Sequence, residues 1–95
     1  AEKVANAVLM GEVDSGILIC KTGISMSIAA NRNKDIRAAV ANDVFSAKES
    51  KEHNNANIIC LGQCVIGDGL AQIIVDAWIE AMFQGNCYQK TNEYD

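Results

Sequence analysis

No run of about 18 apolar residues occurs in this 95-residue chain, so a membrane-spanning helix is excluded. No basic segment followed by an apolar stretch opens it, so a secretory leader is not expected. Basic side chains are scarce as well. Eight Lys and Arg stand against twelve Asp and Glu, for a net charge of −4, the wrong balance for a nucleic-acid binder. A single histidine, His53, and no Cys-x-x-Cys pair leave no spacing for a structural metal site, so no metal or other cofactor is expected. The four cysteines, at positions 20, 60, 64 and 87, do not read as a disulfide framework. Three adjoin apolar, strand-like segments, and reduced thiols in a cytoplasmic protein are the better reading.

What is present fits one globular domain over residues 1–95. About half of the residues are apolar and the mean hydropathy is +0.04. At this size about 60–65% of the unfolded chain's surface can be buried. Helical spacing of Val4, Ala5, Val8 and Leu9 predicts a helix over 1–9, stopped at Gly11. Short apolar strands are predicted at 17–20, 36–40 and 58–61, and helices at 25–30, from Asn42 or Asp43 to about 53, and at 69–83. Asp68 is expected to cap the last helix and Gly85 to end it. Leu70, Ile73, Ile74, Ala77, Trp78 and Ala81 are expected on its buried face, and Val44, Phe45 and Ala47 on that of the preceding helix. Apolar strands separated by helices imply a parallel sheet covered on both faces, an α/β three-layer αβα sandwich of Rossmann-like form. Right-handed crossovers place all strand C-termini on one edge, where ligands bind in such folds.

Cys20 ends the first strand on that edge. Lys21-Thr22-Gly23 turns the chain into the next helix, whose first amides have no intrahelical partner and attract negative charge. Read from residue type alone, Cys20 is a buried cysteine closing a strand or a thiol beside an anion site, and a thiol there can have a depressed pKa. Thr22 caps the helix or hydrogen-bonds a hydroxyl group of a ligand. His53 caps a helix C-terminus or moves protons. Asn31 ends a helix or steadies the loop after Ser25. Asn54 and Asn57 shape a turn or bind hydroxyl groups, and Asp43 and Glu52 fall on solvated helix faces.

Several segments occur in a recognisable order: Gly16-Ile-Leu-Ile-Cys20, Thr22-Gly23-Ile24, Met26-Ser-Ile-Ala-Ala-Asn31, Ile36-Arg-Ala-Ala39, Phe45-Ser-Ala47 and Glu52-His-Asn-Asn-Ala-Asn57. Leu61-Gly62, Val65-Ile66-Gly67, Leu70-Ala71, Ile74-Val-Asp-Ala-Trp78 and Gly85 continue it. Over almost its whole length the chain resembles the ribose-5-phosphate isomerase B family, which includes the galactose-6-phosphate isomerase subunits. The resemblance implies an aldose–ketose isomerase acting on a sugar phosphate through an enediolate. The cysteine matching Cys20 is the base in one branch of that family, and the histidine matching His53 opens the cyclic sugar. It also implies active sites formed between the chains of a homodimer or tetramer, with Cys20, Thr22 and His53 catalytic. Lys21, Gly23, Ile24, Ser25, Asn31 and Asn54 would bind substrate.

Two departures accompany the match. Family members begin with a strand ending in Asp-His, then a helix and a second strand, whereas this sequence opens at the helix over 1–9, as in a shortened copy. The family has glycine at Lys21 and Ser25, arginine at Cys64 and Thr91, and Gly-Gly-Arg at Gly85-Asn86-Cys87. Weak phosphate affinity is therefore expected, with Lys21 a compensating charge set on a different loop. Two alternatives follow from these departures: a degenerate, dimerising or weakly ligand-binding relative, and a thiol redox or metal module using Cys60 and Cys64.

Overall fold

The structure, a computed structural model, describes residues 1–84. Four helices and three strands alternate along the chain: α1 Glu2–Leu9, β1 Gly16–Cys20, α2 Ile24–Ala30, β2 Ala38–Val40, α3 Val44–Glu52, β3 Ile58–Gly62 and α4 Asp68–Glu80. The strands form one parallel sheet in the order β1-β3-β2. The chain passes from β1 over β3 to β2 and then returns. With right-handed crossovers, that reversal sends α2 and α3 to opposite faces.

β3 is the central strand and every residue in it is buried. Its side chains alternate between two cores, as the two-residue period of a strand requires. Ile58 and Cys60 pack with Ala5, Leu18, Ala30 and Ile36 beneath α1 and α2. Ile59 and Leu61 pack with Ala41, Ala47, Ile74 and Trp78 beneath α3 and α4. The three-layer parallel architecture is thus the one that the apolar strands imply. Each buried Ile or Leu of β3 contributes about 1.5–3 kcal/mol by transfer from water.

The structure corrects several details. The second strand begins at Ala38, not at residue 36, because Asp35 adopts a left-handed backbone (φ 72°) and the Arg37 amide donates to the Asn57 side chain at 2.8 Å. Gly67 is the N-cap of α4, and Asp68 is its first helical residue, where its charge complements the helix dipole. The helix ends at Glu80, since residues 81–84 cross to α3 and the Gln84 amide donates to the Glu52 carbonyl at 3.0 Å.

The buried face of α4 is Ala71, Ile74, Val75 and Trp78. Leu70 and Ile73 are 43% and 57% exposed, because this helix is apolar on two sides and only one meets the sheet. Phe45 also faces solvent, while Val44 and Ala47 pack inward. Trp78 is fully buried, with the Lys51 ammonium 4.2 Å from its ring centroid. Burial there depresses the lysine pKa. Asp43 does cap α3, accepting from the Ser46 amide at 2.7 Å and its hydroxyl at 2.9 Å, bonds that hold its carboxyl below the usual range.

Candidate active site

The register pairs Cys20 with Gly62, so both strand ends reach the carboxyl edge of the sheet side by side. Cys20 shares the face of Leu18, two residues earlier, and so lies on the α2 side. The turn after it rests directly on β3, which only glycine permits. Gly23 has φ 90°, and a side chain there would place Cβ 3.0 Å from the Cys60 carbonyl oxygen. At Gly62 a Cβ would fall 2.6 Å from the Thr22 backbone.

Hydrogen bonds then join three loops at this edge. The amides of Gln63 and Cys64 donate to the carbonyls of Cys20 and Lys21 at 2.8 and 3.0 Å. The Asn42 side chain accepts from the Gly62 amide at 2.8 Å and donates to the Thr22 carbonyl at 3.1 Å. Sequence reasoning treated Asn42 only as a possible helix start. The available signal was its place as a polar residue just past a strand on the ligand-binding edge.

Cys20 Sγ accepts from the Gly23 amide at 3.1 Å and lies 3.6 Å from the Ser25 hydroxyl. These donors favour the thiolate. The Ser25 hydroxyl, followed by the Met26 amide, lowers the Cys20 pKa to about 7, burial opposing only in part. Cys60, in the core, is the contrasting case, pushed up to about 11 by burial. The first amides after the turn are thus not idle donors: Gly23 N–H serves the sulfur and Ile24 N–H bonds Thr22 Oγ1 at 3.3 Å. Thr22 therefore steadies the turn, and its hydroxyl proton remains able to meet a ligand oxygen. Lys21, Thr22, Ile24 and Ser25 are exposed around the thiol. Lys21 does not stand on a remote loop, since its carbonyl is bonded to the Cys64 amide.

The remaining proposed site residues lie elsewhere in the chain. α3 starts at the carboxyl edge and runs back, so His53, its C-cap, sits at the opposite edge. A five-residue strand separates the two edges by about 13–17 Å. His53 Nδ1 lies 2.7 Å from Glu49 Oε2, and both side chains are about one third exposed. Asn54 and Asn31 line an open cavity of about 350 Å³ together with Arg37. The Asn31 carboxamide pairs with both the amide and the carbonyl of Ala38, at 2.8 and 2.9 Å, extending the ladder beyond the free edge of β2. Asn57 likewise bonds the Arg37 amide and the Asp35 carbonyl. One chain therefore gathers Cys20, Lys21, Thr22, Gly23, Ile24 and Ser25, and leaves His53, Asn31 and Asn54 apart. Gly85, Asn86, Cys87, Lys90 and Thr91 lie outside the described residues.

Among the described residues no cluster of three His, Cys, Asp or Glu side chains is placed to hold a metal ion. Cys60 is buried, with its thiol pKa pushed up to about 11, and Cys64 is exposed. No helix among the described residues is long and apolar enough to cross a membrane.

Comparison with known proteins identifies the family and the fold. A family model described as Ribose/Galactose Isomerase matches residues 1–93. Ribose-5-phosphate isomerase B of Escherichia coli (strain K12) is 48% identical over 93 residues, covering 98% of this chain and 62% of that protein. A D-erythrulose-4-phosphate isomerase of Pectobacterium atrosepticum is 46% identical over 85 residues, covering 90% of this chain and 56% of that protein. The solved structure of Clostridium thermocellum ribose-5-phosphate isomerase B superposes with a TM-score of 0.94 at 49% identity. That match covers 98% of this chain and 63% of that one. The chain spans less than two thirds of the length of each of these proteins.

Proposed function

Because the chain belongs to the ribose/galactose isomerase family, we propose that it carries the base and turn of a sugar-phosphate aldose–ketose isomerase, with ribose 5-phosphate and ribulose 5-phosphate as the pair. The observation that carries the reading is the Cys20 thiol, partly exposed, held by the Gly23 amide and Ser25 hydroxyl and shifted to about 7. A base poised near the working pH is what proton transfer at carbon requires.

In this mechanism the Cys20 thiolate removes the proton from C2 of the open-chain aldose. The electron pair forms the C1–C2 double bond, and O1 takes up charge and then a proton. The O2 proton leaves as the C2 carbonyl forms, and C1 receives a proton from the thiol. Atoms and electrons are conserved and no cofactor is required. Thr22 donates its hydroxyl proton to a substrate oxygen, while Gly23, Ile24 and Ser25 shape the wall over the reacting carbons. Lys21 meets the phosphate.

His53 opens the ring from a second copy of the chain, with Asn54 beside it binding hydroxyl groups. The separation of the two edges within one chain is the reason to place them across a subunit contact. Asn31 acts by holding β2 at that second edge. The partner is thus another copy of this chain, in a dimer or tetramer. Dependence on a free thiol suits the reducing cytoplasm.

Turnover in D2O tests the reading. Ribulose 5-phosphate formed by the chain should carry deuterium at C1, and Cys20→Ser should form none. Since the thiol can also return the C2 hydrogen before it exchanges, product that carries no solvent deuterium and is formed equally well by Cys20→Ser would remove the thiolate base.

A further inference from the structure

Ser25 is the second residue of α2, and its side chain reaches back over the turn so that Oγ lies 3.6 Å from Cys20 Sγ. The other donors to this sulfur, chief among them the Met26 amide and the Gly23 amide at 3.1 Å, belong to the backbone, and that of Gly23 is fixed by the left-handed turn. The hydroxyl is the donor that a single side-chain change removes. Its one proton, directed at sulfur, strengthens as the acceptor becomes an anion, whereas a neutral thiol is a weak acceptor.

We infer that Ser25 is a positioning residue whose hydroxyl holds Cys20 as a thiolate aimed into the turn near neutral pH. This rests on the assignment of Cys20 as the base. The shift of the thiol to about 7 has the Ser25 bond as its largest cause. The surrounding groups leave the hydroxyl as the decisive side chain. Cys60 of β3 stays neutral, its pKa raised to about 11, and adds no charge. Residues 24–30 of α2 carry no ionisable side chain. Lys21 and Cys64, on the two adjoining loops, are exposed, where solvent screens them. On the loop before α3, Asn42 is neutral, and the Asp43 carboxylate is engaged by Ser46.

The test is the rate of iodoacetamide alkylation against pH, read by mass spectrometry on the peptide containing Cys20 so that the other cysteines do not contribute. The unmodified chain should show a midpoint near 7. Ser25→Ala should raise it by about one unit, so the rate at pH 7 falls roughly fivefold. Ser25→Gly should do the same, and Ser25→Thr, which keeps the hydroxyl, should stay near the parent. An unchanged midpoint in both Ala and Gly variants, or a Thr variant displaced as far as Ala, overturns the inference. If the midpoint moves while the acid limb of isomerisation does not follow, the Ser25–Cys20 link stands and the assignment of Cys20 as the base fails.

Discussion

The Cys64 amide donates to the Lys21 carbonyl at 3.0 Å, so the residue after the thiol and the exposed cysteine beyond β3 share one rim of the site. On the proposed function, a cation at either position would stand at this rim of the site. A phosphate monoester carries a charge of about −1.5 to −2 near neutral pH. Of the two exposed residues on this rim, Lys21 carries a cationic side chain and Cys64 does not. Lys21→Ala should raise KM for ribose 5-phosphate about tenfold with little change in kcat. Cys64→Arg should lower it and steepen its salt dependence, since a guanidinium can bind the phosphate bidentately. Calorimetric titration in low and high salt checks both, and a Lys21→Ala variant with unaltered affinity would place the phosphate elsewhere.

Asn42 holds the site's loops together through Gly62 and Thr22. Asn42→Ala leaves two backbone groups without that partner and should cost about 1–3 kcal/mol. Thermal unfolding should show a lowered midpoint. The pH dependence of Cys20 alkylation should shift as well, because the turn carrying Gly23 loses its tie. A variant as stable as the parent would mean that water replaces the side chain without loss.

Leu70 and Ile73 form an exposed apolar strip on α4, with Ile79 also exposed near its end. Trp78, on the other side of the helix, is committed to the chain's own core. Sedimentation at micromolar concentration should show a dimer or larger species. Replacing Leu70 and Ile73 together by Glu should shift it toward monomer while the far-UV spectrum holds. A parent chain that sediments as a folded monomer would contradict the shared-site account of His53.

The sequence made some of this arrangement legible and hid the rest for identifiable reasons. The strand ending in Cys20 was readable because β1 and β3 are short apolar runs bounded by turn residues. The start of α3 was readable to within one residue, Asn42 or Asp43, and the Asp43–Ser46 bond decides between them. The inward face of α4 was legible in Ile74 and Trp78 but not in full, because Leu70 and Ile73 fit a helical stripe as well as Ala71 and Val75 do. Asn42 and the Lys21–Cys64 contact depend on residues twenty or more positions apart, brought together by the pairing of β3 with both β2 and β1, an order that a linear pattern does not specify. The position of His53 at the far edge follows from topology alone, since a helix that returns from a strand's carboxyl end must finish at the other edge.

The central claim is that the Cys20 thiolate is the base, and the pH dependence of ribose 5-phosphate isomerisation tests it most directly. The group is active when deprotonated, so the rate should rise with pH through a midpoint near 7, the value its hydrogen bonds set. Cys20→Ser should abolish turnover at every pH while far-UV spectrum and particle size stay those of the parent. A serine variant that retains the parent rate, or a parent rate independent of pH between about 6 and 8, would contradict it.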